Sequence, residues 1–143
     1  MKKLCRALLP PLALLMMTGC IPCPSRDAAS TMTPLADALT KLSPKVESVV
    51  RYGNPPENST SSDLLALATQ SDPGLLQLFN GYEVRAFAHD RHASVMVCTI
   101  DGKRGLLEDL GCSAMLDRNL WIEQTLMPCS FTLSATLGCE AKK

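Results

Sequence analysis

Four cysteines in the second half of the chain, Cys98, Cys112, Cys129 and Cys139, are the residues best placed to do chemistry. Thiols can ligate zinc, attack as nucleophiles, or pair. Zinc modules bring their cysteines in close pairs, and these four are widely and unevenly separated. The only Cys-x-x-Cys run is Cys20 to Cys23, far away near the N-terminus. We therefore expect disulfides at Cys98, Cys112, Cys129 and Cys139, and no metal. Four cysteines allow three connectivities, and the sequence does not choose among them. The sequential pairing, Cys98–Cys112 and Cys129–Cys139, is favoured, because a helix between the first two would return the chain to its strand. A bridge over a loop of about 15 residues is worth about 3 kcal/mol in the chain-entropy model.

His89 and His92 are the only histidines. They flank Asp90 at a predicted turn, so the three are candidate metal donors. An exposed polar turn is the expected use. The chain has no Gly-x-Ser-x-Gly, no His-Glu-x-x-His and no phosphate loop. Paired thiols would also be lost as nucleophiles. No catalytic residue is assigned, no cofactor is expected, and the protein is expected not to be an enzyme.

One local arrangement breaks a rule. The stretch Lys103 to Leu110 reads as a helix through Leu106, Leu107 and Leu110, with Gly111 as its C-terminal cap. Its basic residues stand at the start and Glu108 and Asp109 at the end, opposite to what a helix dipole favours. Glu108 and Asp109 are therefore candidate contacts for a basic partner or an internal arginine such as Arg118. A solvated charged face is the simpler use.

The N-terminus carries the clearest signal. Lys2, Lys3 and Arg6 form a basic region, and Ala7 to Met17 an apolar run broken by Pro10 and Pro11. That run is too short for a transmembrane helix, which needs about 20 residues, and it suits the core of an export signal. Met17, Thr18, Gly19 and Cys20 follow directly. Here the chain resembles a bacterial lipoprotein precursor. The resemblance covers these residues alone. It implies cleavage before Cys20, a diacylglycerol on the Cys20 thiol and acylation of its amine. Three acyl chains exceed the two signals that stable anchoring takes. Ile21 is not Asp, so the inner-membrane retention signal is absent. The resemblance then implies the outer membrane, facing the periplasm.

Such processing changes the composition. The 143-residue precursor balances 14 basic against 14 acidic residues. Removing Lys2, Lys3 and Arg6 leaves the mature chain mildly acidic, which argues against a general grip on nucleic acid. Of seven cysteines, Cys5 leaves with the signal, Cys20 takes lipid, four are expected to pair, and Cys23 remains. So many thiols point to an oxidising compartment.

These residues must be positioned by elements. We read 1–19 as signal peptide, 20–33 as a lipidated N-terminus and flexible tether, and 34–143 as one small globular domain. Leu35, Leu39, Leu42, Val46 and Val49 form a helical stripe interrupted by Pro44, predicting two short helices or one bent one. Short helices are expected from Ser62-Asp63 and from Asp72-Pro73 to Asn80-Gly81. Tyr82 to Ile100 alternates as a β-hairpin whose second strand is apolar on both faces and hence central. Ser113 to Leu116 reads as a further short strand. The expected class is α+β: N-terminal helices on a small antiparallel sheet, a following helix, and disulfide staples. The function expected is a lipid-anchored envelope protein with a protein partner, a binding or accessory factor of an envelope assembly. The alternative is a periplasmic inhibitor or immunity-type lipoprotein against a lytic enzyme or toxin.

Overall fold

The computed structural model describes residues 26–122 and 126–141. The lipobox residues, Cys5 and Cys23 lie outside that range. Helix α1 runs Arg26–Tyr52, α2 Ser61–Ala68 and α3 Gly74–Gln77. Strands β1 (Tyr82–His89), β2 (His92–Thr99) and β3 (Gly105–Leu110) follow, and α4 (Ala135–Glu140) closes the chain. No described helix is long and apolar enough to cross a membrane.

The class is α+β, as expected, with three differences of detail. First, α1 is one continuous helix that carries both Pro34 and Pro44 inside it. It begins within the stretch expected to be tether. Pro44 leaves the Thr40 carbonyl without its usual donor, a defect of about 3 kcal/mol. Burial outweighs it: Leu35, Ala38, Leu39, Leu42 and Val46 recur every three or four residues and are all buried. Second, residues 105–110 form a strand. Leu106, Leu107 and Leu110 satisfy a helical spacing, but β3 is a strand with every residue buried on one face or the other, as in a sheet covered on both sides. Third, Ser113 to Leu116 is irregular rather than a strand.

The sheet order is β1-β2-β3, antiparallel throughout. The hairpin pairs Tyr82 with Thr99 through to His89 with His92. Asp90 and Arg91 both take positive φ, 47° and 65°, as a two-residue turn matching strand twist requires. Ala93, Val95, Val97 and Leu107 face the core built by α1 and α2. Met96 and Cys98 face the other way, towards Leu120, Cys129, Met127 and Phe131. The chain after β3 thus covers the second face of the sheet. It also satisfies the free edge of β3. The Glu108 and Arg118 backbones exchange hydrogen bonds of 3.0 and 2.9 Å, and Gly105 donates to Met127 at 3.0 Å. An edge so covered cannot recruit another strand.

The two layers differ in how they are held. The helical layer is a hydrophobic core. The C-terminal layer has little apolar mass and is tied by Cys98–Cys129 and Cys112–Cys139. All four expected cysteines are bridged, but the favoured sequential pairing is not the one formed. With 105–110 a strand and not a helix, Cys112 sits at the far end of β3 from Cys98. Each thiol instead meets the returning segment.

Candidate functional site

A polar seam runs through the interface of α1 with the sheet. Ser43 and Glu47 lie one helical turn apart on the buried face of α1, with Arg51 a turn further on. Ser43 donates its hydroxyl to the Asp109 carboxylate. Glu47 Oε2 accepts from the Ala93 backbone N–H at 2.6 Å, and Glu47 Oε1 lies 2.9 Å from His92 Nδ1. Arg51 Nε stands 3.3 Å from the same Glu47 oxygen, and its Nη2 3.4 Å from His92 Nδ1. Gly111 makes this approach possible. A Cβ there would lie 2.4 Å from Glu47 Cβ and 2.7 Å from the Ser43 carbonyl oxygen.

The candidate residues separate. His92 is buried in this seam, whereas His89 is exposed and sits 3.1 Å from Asp90. The two histidines therefore do not share a metal site with Asp90; His89, Asp90 and Arg91 are the exposed polar turn, and His92 lies inside the fold. Among the described residues, Glu47, His92 and Cys139 are the metal-type donors that converge, within 4.8 Å of one another.

Glu108 and Asp109 are not surface contacts. Both are fully buried, on opposite faces of β3 because successive strand residues alternate. Glu108 accepts from the Thr132 and Leu133 backbone N–H groups at 2.8 and 2.9 Å and from the Thr132 hydroxyl. Arg118, the internal arginine considered for them, donates to that same hydroxyl at 2.7 Å. Asp109 accepts from the Asp117 N–H at 3.1 Å, while Asp117 accepts from the Leu110 N–H at 2.9 Å. Burial pushes the Asp109 carboxyl up to about 6, against the lowering effect of Ser43 and the Asp117 amide; the charge of Asp117 pushes the same way as burial.

One open surface feature is a cleft of about 880 Å³ between the loop after α1 and the hairpin turn. Asn54, Pro55 and Glu57 line one wall, and Phe87, His89 and Arg91 the other. Phe87 is half exposed and packs against Phe131, ring centroids 5.6 Å apart. Ser59 and Ser61 also line the cleft, but their hydroxyls engage the Pro56 carbonyl and the Ala86 N–H. Arg91 donates to the Arg51 carbonyl at 2.9 Å, satisfying the last turn of α1.

Sequence reasoning missed Glu47 and Ser43, polar residues on an apolar stripe, and the cleft. The signal for the first two was their helical phase: both fall between Leu39, Leu42 and Val46 on the buried side. No protein-family model, curated protein or solved structure matches the chain.

Proposed function

We propose that this chain is a lipoprotein of the bacterial cell envelope, whose domain binds another envelope component as a non-enzymatic accessory factor. The observation that carries the reading is Met17-Thr18-Gly19-Cys20 placed directly after a basic region and an apolar run. Cys20 would take the lipid, and the absence of Asp after it favours the outer membrane, periplasmic side. Even fully extended, the stretch from Cys20 to Arg26 reaches no more than about 20 Å. The domain would therefore work close to the membrane surface. Two disulfides suit an oxidising compartment.

The cleft beside the hairpin turn is the binding surface in this reading. It combines an exposed aromatic ring, Phe87, with Arg91, residue types enriched at protein interfaces, beside the acids Glu57 and Asp90. The buried carboxylates Glu47, Glu108 and Asp109 are engaged within the fold, which supports reading the surface as the place where the domain acts. Mass spectrometry of the membrane fraction tests the anchor: acyl mass on a peptide beginning at Cys20 is expected, and an unmodified Cys20 refutes it. Affinity capture from detergent-solubilised envelopes, with wild type and Phe87→Asp compared, tests the surface. A partner retained by wild type and lost by the variant is expected; equal capture refutes the cleft. If the partner is a lytic enzyme or toxin, the small stapled acidic domain is an inhibitor instead.

A further inference from the structure

Among the described residues, the cluster of Glu47, His92 and Cys139 is the one place where three different metal-type donors meet. It lies where the three parts of the fold join: Glu47 comes from α1, His92 from the start of β2, and Cys139 from α4. All three are buried, at 5%, 6% and 4% exposure, and their donor atoms lie within 4.8 Å of one another. Surface donors drift into such groups by chance. Buried ones are held there, here by the Glu47 hydrogen bonds to Ala93 N–H and His92 and by the close approach that Gly111 permits. Two residues along β2, on the same face as His92, the Ser94 hydroxyl is buried without a hydrogen-bond partner among the described residues. A buried orphan of this kind marks a spot where a water or ion can be missing.

In the oxidised fold Cys139 is bridged to Cys112 and has no thiolate to offer. We propose that this bridge covers a metal site, and that its reduction lets Cys139, His92 and Glu47 bind one divalent cation of the zinc class. The chemistry balances. A dithiol reductant transfers two electrons and two protons to the bridge, leaving Cys112 and Cys139 as thiols and the reductant as a disulfide. The cation then takes the Cys139 thiolate, and the thiol proton goes to solvent. A thiolate, an imidazole and a carboxylate are standard zinc donors, and three protein ligands leave the fourth position to water. Bond lengths of about 2.0–2.3 Å place tetrahedral donors about 3.3–3.8 Å apart. The Glu47–His92 pair, now at hydrogen-bond distance, needs to open slightly, and the freed Cys139 side chain can close on it from within 4.8 Å.

Arg51 is the opposing group. Its guanidinium lies within 3.4 Å of both Glu47 and His92, and its like charge must move aside for a cation. It is about one-third exposed, so it can turn to solvent.

The test uses the full chain in detergent, with Co²⁺ as a spectroscopic probe. Cys112→Ser leaves Cys139 as a permanent thiol. This variant is expected to bind one Co²⁺ with a thiolate-to-cobalt charge-transfer band. Oxidised wild type should lack the band and gain it on phosphine reduction. Adding Cys139→Ser to Cys112→Ser should abolish it, every other cysteine being common to both proteins. Adding His92→Gln should weaken binding by about 100-fold or more, since even outer-shell losses cost 10–100-fold. Adding Arg51→Gln should strengthen binding, by roughly tenfold, through loss of a nearby like charge. If Cys112→Ser does not fold, reduced wild type against reduced His92→Gln gives the same comparison. No band in folded Cys112→Ser or in reduced wild type, or a band that survives loss of Cys139, overturns the proposal.

Discussion

Ser43 of α1 gives its hydroxyl hydrogen bond to Asp109 of β3, joining the helix to the sheet through a carboxylate with no exposed surface. Burial raises that carboxyl to about 6 from an ordinary value near 3.8. The native state therefore holds the Asp109 proton more tightly than the unfolded state does. Between about pH 4 and 6 this group favours folding increasingly as pH falls, and above about 6 its penalty is constant.

Asp109→Asn keeps an acceptor for the Asp117 amide and supplies a donor towards Ser43, without the buried charge. The variant is expected to be more stable than wild type at pH 7, by up to about 3 kcal/mol for a shift of roughly two units. The gain should shrink towards pH 4. Denaturant unfolding across this range checks it; a difference independent of pH would mean that Asp109 does not titrate there.

Glu108 acts only as an acceptor, with two backbone N–H groups and a hydroxyl on its carboxylate. Glu108→Gln puts a donor where one of these donors points. A loss of about 1–3 kcal/mol is expected, read by thermal unfolding. Unchanged stability would show that the C-terminal layer does not depend on this anchor.

Gly111→Ala should cost about 1–3 kcal/mol, because the new methyl collides with Glu47 and the Ser43 carbonyl. It should also move Glu47 off His92, which the His92 ring resonances in NMR report. A variant with wild-type stability and unshifted His92 signals would contradict the packing described.

Replacing Cys98 and Cys129 together by Ala opens a bridge of sequence separation 31. The chain-entropy model gives a loss of about 3.5–4 kcal/mol. The second sheet face should exchange amide hydrogens faster than the helical layer does. Equal protection of both layers would mean that packing alone holds the C-terminal segment.

Much of the fold was legible in the residues. The hairpin announced itself through alternation from Tyr82 and through a second strand apolar on both faces, and β2 is indeed the buried centre. The turn signals at Asn80-Gly81 and Asp101-Gly102 hold, with Gly81 and Gly102 both at positive φ. The third strand was missed because Leu106, Leu107 and Leu110 fit a helix equally well. The inverted charges of Lys103, Arg104, Glu108 and Asp109 were the contrary sign: a sequence that opposes the helix dipole is better explained without a helix. That single misreading moved Cys112 in space and so favoured the wrong disulfide partner. The seam of Ser43, Glu47 and His92 was not legible, because it depends on a pairing of α1 with β2 across more than 40 residues, which local pattern does not encode.

The order of the bridges along the chain has a consequence for cleavage. Cys98–Cys129 and Cys112–Cys139 overlap, so every peptide bond between Cys98 and Cys139 lies inside at least one covalent ring, and those from Cys112 to Cys129 lie inside both. A protease that nicks this region once releases nothing. Both pieces stay joined until a reductant separates them, and a cut domain would run intact on a non-reducing gel. Sequential pairing would have left the span between Cys112 and Cys129 outside any ring, where one nick would shed the C-terminal layer.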